Sequence, residues 1–133
     1  MNDKMLSALI VEDCDQIRRL MKAVLKREGI ACTDGGDAMT AIEILEGGDS
    51  FDTILVDLAI AGGENGLDFL ESVSKTNPSL LSRTVVVSET AHEGTHPAFK
   101  DYRIHGVLPK PFYLEDLAAM IREATRRKEP PSH

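Results

Sequence analysis

The chain has 133 residues, and its 15 Lys and Arg residues face 22 Asp and Glu residues, for a net charge of −7. This length is typical of one domain that buries a core of its own. So acidic a chain has no electrostatic attraction for nucleic acid or for anionic membranes, which argues against direct binding to either. We find no signal peptide and no apolar stretch that could span a bilayer, and we therefore expect a cytoplasmic protein.

Short apolar runs and amphipathic segments alternate along the chain, beginning with an apolar run over residues 6–11. After it, Asp15 is a candidate N-cap for a helix with apolar residues at helical spacing, which ends at Gly29. The later predicted strands cover residues 30–33, 53–56, 84–87 and 107–108. The later predicted helices lie around residues 38–45, 67–73 (stopping before Pro78) and 114–124.

This alternation of strand and helix predicts parallel strands joined by right-handed crossovers. The predicted strands are mainly apolar and non-alternating, which is typical of a sheet covered by helices on both faces. We therefore expect an α/β, flavodoxin-like fold: a doubly wound sheet of five parallel strands in the order 2-1-3-4-5, with about five helices. Residues 1–125 form this one domain in the prediction, and residues 126–133 form a disordered tail.

Polar side chains stand at the ends of four predicted strands. Glu12 and Asp13 follow the first strand, Asp57 the third and Ser88 the fourth, and Lys110 comes just after the fifth. Ligands of doubly wound sheets bind beyond the carboxyl ends of the strands, at the point where the strand order reverses. We therefore expect these side chains to meet at one edge of the sheet and to form the functional site.

A divalent cation suits this group of carboxylates. Carboxylates held close together repel one another unless a cation joins them. Mg²⁺ prefers oxygen ligands and keeps several of its water molecules. We expect Mg²⁺ (or Mn²⁺) to be bound by Asp13 and Asp57 directly, by Glu12 through a water molecule, and by the backbone carbonyl of Ala59.

The same side chains favour phosphoryl transfer. A carboxylate such as that of Asp57 can act as a nucleophile toward phosphorus and form an aspartyl phosphate. The protein's contribution to such a transfer is mainly positioning and neutralisation of charge. Lys110 and the metal ion are the candidates for neutralising the phosphoryl oxygens, and Ser88 is the candidate for donating a hydrogen bond to one of them.

Four segments carry these residues, ALIVEDCDQIRRLM, FDTILVDLAI, RTVVVSETA and HGVLPKPF. Together they resemble the receiver domains of response regulators in two-component signalling, over nearly the whole chain. The resemblance implies a family role for each side chain: an acidic pair at Glu12 and Asp13, a phosphoacceptor at Asp57, a switch hydroxyl at Ser88 and the family's lysine at Lys110. The peptide bond between that lysine and Pro111 is implied to be cis.

The resemblance also implies a function and partners. We expect a stand-alone receiver domain that accepts a phosphoryl group from a sensor histidine kinase. A histidine phosphotransfer protein or a downstream target protein is a further expected partner. The chain is expected to catalyse its own phosphorylation and slow hydrolysis without being a turnover enzyme, and to be a monomer or a weak homodimer.

The chain departs from the family pattern near the expected phosphoacceptor. Ala61 replaces the proline that the family usually has four residues after it, and the loop that follows has one extra residue. Val107 stands where an aromatic residue is frequent, so we do not expect an aromatic rotamer switch. Glu89 stands where a small residue is common, and it either limits access to the phosphoryl group or faces solvent.

The region from Thr90 to Tyr102 is a poor match to a regular fourth helix. Gly94 and Pro97 disfavour a helix early in this region, so we predict a long loop followed by a short, late helix through Phe99 and Tyr102. These departures motivate an alternative function, in which the chain is a docking module with the receiver fold that works without phosphorylation.

Two motifs in the sequence allow rival interpretations. The order Asp13-Cys14-Asp15 after an apolar strand resembles haloacid-dehalogenase-type phosphatases, in which Asp13 would carry the phosphoryl group. His92 and His96 match the His-Glu-x-x-His pattern of zinc metalloproteases, but that pattern requires a helix, which glycine and proline disfavour here.

The two cysteines, Cys14 and Cys32, do not have the spacing of a metal site. We expect both to be reduced, half-buried thiols.

Overall fold

The computed structural model describes residues 5–57, 65–88 and 103–126. The described residues form five strands and five helices that alternate along most of the chain. In chain order these elements are β1 (Ser7–Val11), α1 (Asp15–Arg27), β2 (Ala31–Asp34), α2 (Ala38–Glu46), β3 (Thr53–Asp57), α3 (Asn65–Thr76), α4 (Pro78–Leu81), β4 (Thr84–Ser88), β5 (Gly106–Pro109) and α5 (Leu114–Arg126).

The strands form one sheet, in which every neighbouring pair is parallel and the order is β2-β1-β3-β4-β5. The predicted flavodoxin-like fold is therefore confirmed, including its strand order. Strand β3 lies in the centre, where Ile54 pairs with Leu9 of β1 on one side and with Thr84 of β4 on the other. Because all strands run the same way, the residues that follow β1, β3, β4 and β5 lie at one edge of the sheet.

Successive residues of each strand enter different hydrophobic cores on the two faces of the sheet. In β3, Ile54 and Val56 pack into the core that includes helices α2, α3 and α4. Leu55, between them, packs into the core that includes helices α1 and α5. All three residues are fully buried. Because both faces are covered, every position of a central strand is best filled by an apolar residue, which explains the continuous apolar runs in the sequence.

Helix α1 begins differently from the prediction. Cys14 occupies the N-cap position without a capping side-chain bond, and Asp15 is the first helical residue. The Asp15 carboxylate contacts the guanidinium of Arg18. The prediction that Asp15 caps this helix is therefore wrong, because Asp15 already lies within the first turn. Its carboxylate favours the helix through its negative charge and pairs with Arg18, one turn later.

The apolar residues at helical spacing in α1 are not all buried in the core. Met21, Val24 and Leu25 are buried in the core, whereas Leu20 is 41% exposed. Leu20 lies with Phe112 along a groove next to the loop after β5, so it faces outward from the sheet. A row of apolar residues at helical spacing therefore covers two surfaces, the core and the groove.

Helix α4 is a single turn that the sequence analysis missed. Helix α3 ends at Thr76, before Pro78, as predicted. The side chain of Asn77 then accepts a hydrogen bond from the Leu80 backbone N–H at 3.2 Å and caps a new helix whose first residue is Pro78. Proline suits the first helical position because its missing N–H has no partner there. Pro78 thus follows one helix and begins another.

Several predictions fall on residues outside the described part of the chain. These are the loop with Ala59 and Ala61, the late helix through Phe99 and Tyr102, the His92–His96 motif, Glu89 and residues 127–133 of the predicted tail. Within the described ranges, no helix is both long and apolar enough to cross a membrane.

Both cysteines are free thiols, as predicted, but their burial differs. Cys32 is half-buried on β2, whereas Cys14 is exposed. The prediction of a half-buried Cys14 is wrong because the residue lies beyond the end of β1, at the start of a helix, outside either core.

Candidate functional site

The side chains at the carboxyl edge of the sheet are centred on Asp57, the last residue of the central strand. Asp57 is only 3% exposed. Its Oδ2 atom accepts a hydrogen bond from Nζ of Lys110 at 2.6 Å. The Lys110 side chain follows the edge strand β5 and is 16% exposed, so this charge-assisted bond is largely shielded from water.

Glu12, which follows β1, is the second buried carboxylate of the site. Its Oε2 atom accepts a hydrogen bond from the backbone N–H of Cys14 at 3.1 Å. Its Oε1 atom lies 3.7 Å from Nζ of Lys110. Within the described part of the chain, this Oε1 atom is buried and accepts no hydrogen bond. One oxygen of Glu12 is thus fixed by the backbone, and the other is an acceptor turned toward the lysine.

Burial raises the pKa of Glu12 to about 7. The hydrogen bond from the Cys14 N–H opposes this effect, the negative charge of Asp57 adds to it, and the ammonium of Lys110 opposes it. Burial and the nearby charge of Asp57 therefore disfavour the charged form of Glu12. A cation close to Glu12 and Asp57 would offset these effects, since an opposite charge favours the ionised form of a carboxylate.

The remaining predicted site residues differ in their burial. Asp13 follows Glu12 and is exposed. Ser88 ends β4, is 6% exposed, and its carbonyl oxygen accepts a hydrogen bond from the backbone N–H of Lys110 at 3.1 Å. Glu12, which follows β1, and Asp57, which ends β3, therefore meet at the ammonium group of Lys110. Ser88 lies on β4, the strand between β3 and β5. The backbone carbonyl of Ala59 belongs to the loop that is not described.

The chemistry of these donors fits a magnesium ion that keeps much of its water. In the described ranges, no three His, Cys, Asp or Glu side chains are grouped so as to hold one metal ion. Mg²⁺ does not require such a cage, because it is usually held by one or two carboxylates together with water. Glu12 contributes a buried oxygen without a hydrogen-bond donor, and its charge repels that of Asp57. Both features suit a hard divalent cation.

A groove with a volume of about 720 Å³ adjoins the site on the side of helix α1. Its lining is mainly apolar and consists of Cys14, Ile17, Leu20, Lys110, Pro111 and Phe112. The Lys110–Pro111 peptide bond is cis, as the family resemblance implied. Because Lys110 belongs to both the groove and the carboxylate site, a molecule that approaches Asp57 from this side would meet an apolar surface.

Sequence reasoning missed Arg18, whose guanidinium reaches the backbone of the acidic pair. Its Nη1 atom donates a hydrogen bond to the carbonyl oxygen of Glu12 at 2.9 Å. Its Nε atom lies 3.4 Å from Oδ1 of Asp34, at the end of β2. The spacing of Asp15 and Arg18 was a local signal for a helical ion pair. Nothing in the sequence indicated that Asp34 would lie beside them.

Comparison with known proteins identifies the family. Residues 8–122 match the family model of the response regulator receiver domain. The transcriptional activator protein PfeR of Pseudomonas aeruginosa is 31% identical over 121 residues, which are 90% of this chain and 37% of PfeR. The transcriptional regulatory protein CpxR of Escherichia coli K12 is also 31% identical over 121 residues, 90% of this chain and 49% of CpxR. The chain belongs to the response regulator receiver family of two-component signalling.

A solved receiver domain from Methanospirillum hungatei, described as CheY-like, has the same fold. It superposes with a TM-score of 0.81 at 23% identity, over 94% of this chain and 97% of that domain. Receiver domains are in general regulatory phosphoacceptors that bind Mg²⁺ at an acidic site and interact with sensor histidine kinases. The chain spans less than half the length of PfeR and of CpxR, so the comparison concerns their receiver domains and not their remaining parts.

Proposed function

We propose that Asp57 accepts a phosphoryl group from the phosphohistidine of a sensor histidine kinase, in a reaction that requires Mg²⁺ or Mn²⁺. The observation that carries this proposal is the 2.6 Å contact between Nζ of Lys110 and Oδ2 of Asp57 at the end of the central strand. In this position, the nucleophilic oxygen of Asp57 lies beside the ammonium of Lys110, which can neutralise negative charge on the incoming group.

The proposed transfer is a displacement at phosphorus. An oxygen of Asp57 forms a bond to phosphorus while the bond from phosphorus to the donor's imidazole nitrogen breaks, and the nitrogen keeps the electron pair. Lys110 neutralises negative charge on the phosphoryl oxygens, because its ammonium group is held beside Asp57 before the donor arrives. Ser88, on the neighbouring strand β4, is proposed to donate a hydrogen bond to one of these oxygens.

The metal ion is proposed to be held by Asp13 and Asp57, by Glu12 through water, and by the carbonyl of Ala59. When bound, it supplies positive charge that offsets the repulsion between these carboxylates and the phosphoryl oxygens. The raised pKa of Glu12 and its unbonded buried oxygen support a cation at this place. Asp13 is exposed, and its assignment as a direct ligand stays a prediction.

The output of the chain is proposed to be a change in protein binding. The phosphorylated form binds or releases a downstream target, or passes the group to a histidine phosphotransfer protein. The chain acts chemically only on its own aspartyl phosphate, so it is a phosphoacceptor and not a turnover enzyme. The expectations of a stand-alone receiver and of a monomer or weak homodimer stay predictions, since these comparisons concern the receiver domain alone.

Incubation with acetyl phosphate and Mg²⁺, followed by intact-mass measurement, tests the proposal. We expect one added phosphoryl group in the unmodified protein, and none without the metal or in Asp57→Asn. The matched control is Asp52→Asn, which changes a buried aspartate at the opposite end of the same strand and should be phosphorylated normally.

Two outcomes of this experiment would contradict the proposal. An unchanged mass with acetyl phosphate and also with a phosphorylated histidine kinase would favour the docking-module function. A phosphoryl group mapped to Asp13 would favour the dehalogenase-type interpretation instead.

A further inference from the structure

Arg18 connects three segments of the chain through the nitrogen atoms of one guanidinium group. Nη1 donates to the carbonyl oxygen of Glu12 at 2.9 Å. Nη2 contacts the carboxylate of Asp15 in the first turn of α1, and Nε lies 3.4 Å from Oδ1 of Asp34. The side chain therefore joins the loop after β1, the beginning of α1 and the end of the neighbouring strand β2.

The carbonyl that Arg18 holds belongs to the peptide unit between Glu12 and Asp13. A peptide unit is planar, so fixing its carbonyl oxygen also fixes the direction in which the chain enters Asp13. The next amide, the N–H of Cys14, donates to Oε2 of Glu12 at 3.1 Å. The backbone of the acidic pair is thus held from one side by Arg18 and from the other by the carboxylate of Glu12.

The chemistry of Arg18 suits this role better than that of a lysine. A guanidinium is a planar fork with five N–H donors, and it can serve several acceptors in fixed directions, whereas an ammonium is a compact charge. The Arg18 side chain is 24% exposed and that of Asp34 is 34% exposed, so their ion pair is partly shielded from solvent. Lys22, by comparison, lies 3.2 Å from the same Asp34 but is 48% exposed.

We propose that Arg18 is a positioning residue for the phosphorylation site. It holds the Glu12–Asp13 peptide unit in the orientation in which the acidic pair receives a divalent cation. The inference rests on the proposed function, because it assumes that this pair binds Mg²⁺. Arg18 acts through Glu12 and Asp13 and not on the reacting group, so it is not a catalytic residue.

A purely electrostatic role for Arg18 makes the opposite prediction. The positive charge of Arg18 lies near the cation site, so its removal should tighten Mg²⁺ binding, and its replacement by lysine should change little. Positioning requires instead that Arg18→Gln and Arg18→Lys both weaken Mg²⁺ binding, since neither side chain reproduces the three contacts. The two variants therefore separate the two roles.

Amide NMR titrations with MgCl₂ measure the affinity directly. They suit this chain because it contains no Trp whose fluorescence could report Mg²⁺ binding. We expect the Kd for Mg²⁺ to rise about tenfold in both Arg18 variants, the size of effect typical for a lost hydrogen bond to a charged group. Lys22→Gln is the matched control, because it removes a positive charge paired with the same Asp34, and its Kd should stay close to that of the unmodified protein. At saturating Mg²⁺, phosphorylation by acetyl phosphate should recover in the Arg18 variants.

Hydrogen exchange of the Cys14 amide in the metal-free protein provides a second measurement, independent of Mg²⁺. We expect faster exchange in Arg18→Gln and Arg18→Lys than in the unmodified protein or Lys22→Gln. Thermal unfolding checks that each variant is folded. If Arg18→Gln does not fold, Arg18→Lys, which keeps the charge, decides the question.

Tighter Mg²⁺ binding by Arg18→Gln, or unchanged Mg²⁺ affinity in a folded Arg18→Lys, would overturn the inference. Failure of the unmodified protein to bind Mg²⁺ would count against the proposed function itself. In that case, the exchange rate of the Cys14 amide still shows whether Arg18 holds the loop.

Discussion

Two aspartates at opposite ends of strand β3 have the same side chain and similar burial, at 5% exposure for Asp52 and 3% for Asp57. Asp52, just before the strand, accepts a hydrogen bond at Oδ2 from the backbone N–H of Ser7 at 2.8 Å. Asp57, the last residue of the strand, instead contacts the ammonium of Lys110 at 2.6 Å. These two described contacts differ in their donors, which are a backbone N–H for Asp52 and a charged side chain for Asp57.

The surroundings of the two aspartates extend this difference. At the amino end, the backbone oxygen of Asp52 accepts a hydrogen bond from Nε of Arg83 at 2.8 Å, and Oγ1 of Thr53 donates to the Arg83 carbonyl at 2.6 Å. At the carboxyl end, Asp57 shares Lys110 with a second acid, Glu12. Residue type and burial are therefore alike at the two ends, whereas a cation shared by two buried acids sets the carboxyl end apart.

The largest expected effect that separates the two ends is on the rate of phosphorylation. Lys110→Met removes the cation beside Asp57, so we expect phosphorylation by acetyl phosphate to slow by roughly 10²–10³-fold, as for loss of one preorganised charge-stabilising donor. Arg83→Met, which removes a cation from the amino end, should keep the normal rate. Intact mass followed over time at saturating Mg²⁺ measures both, and equal rates in the two variants would remove the functional distinction between the ends.

For the free energy of unfolding, we expect the larger effect at the amino end of the strand and the smaller effect at the carboxyl end. Asp52→Ala leaves the Ser7 N–H without its acceptor, so we expect the free energy of unfolding to fall by about 1–3 kcal/mol. Asp57→Ala should lower it by less, because the repulsion between Asp57 and Glu12 disappears together with the bond between Lys110 and Asp57. Urea unfolding of the metal-free proteins measures the two values. A larger loss for Asp57→Ala would mean that the site also stabilises the fold.

The smallest expected effect concerns Asp37, a surface aspartate that, like Asp52, accepts a hydrogen bond from a backbone N–H. Its Oδ1 atom accepts the Thr40 N–H at 2.7 Å and caps helix α2. This bond holds the pKa of Asp37 below its usual range. The stability that a lowered carboxyl pKa contributes is present above the unfolded pKa and is lost as the pH falls through the folded pKa. The melting temperatures of Asp37→Asn and the unmodified protein should therefore converge as the pH is lowered through the pKa of Asp37. A difference that stays constant over this acidification would refute a stabilising charged cap at Asp37.

Most elements of the fold could be predicted because their signals are local. Continuous apolar runs such as residues 84–87 indicate strands buried on both faces, and each observed strand overlaps its predicted range. The errors arose where one residue type serves two purposes. Pro78 was interpreted only as the end of a helix, and Asp15 only as a cap, although each occupies the first position of a helix.

The candidate site was predictable to the level of residue type and edge of the sheet. Parallel strands bring their carboxyl ends together, so the order of Glu12, Asp57, Ser88 and Lys110 along the chain was enough to place them at one edge. Which of the two adjacent acids is buried was not predictable. The structure buries Glu12 and exposes Asp13, although both lie in the short segment between the end of β1 and the start of α1.

The sequence by itself determined most of the strands and helices and the chemical groups at the carboxyl edge, since these depend on patterns within a few consecutive residues, and the alternation of these elements indicated the parallel sheet. Only the tertiary structure decided the 2.6 Å contact between Asp57 and Lys110, which are 53 positions apart. It likewise decided that Arg18 reaches both Glu12 and Asp34. Such contacts depend on how neighbouring strands are aligned and on where a helix crosses them, and that geometry is set by packing of the whole core.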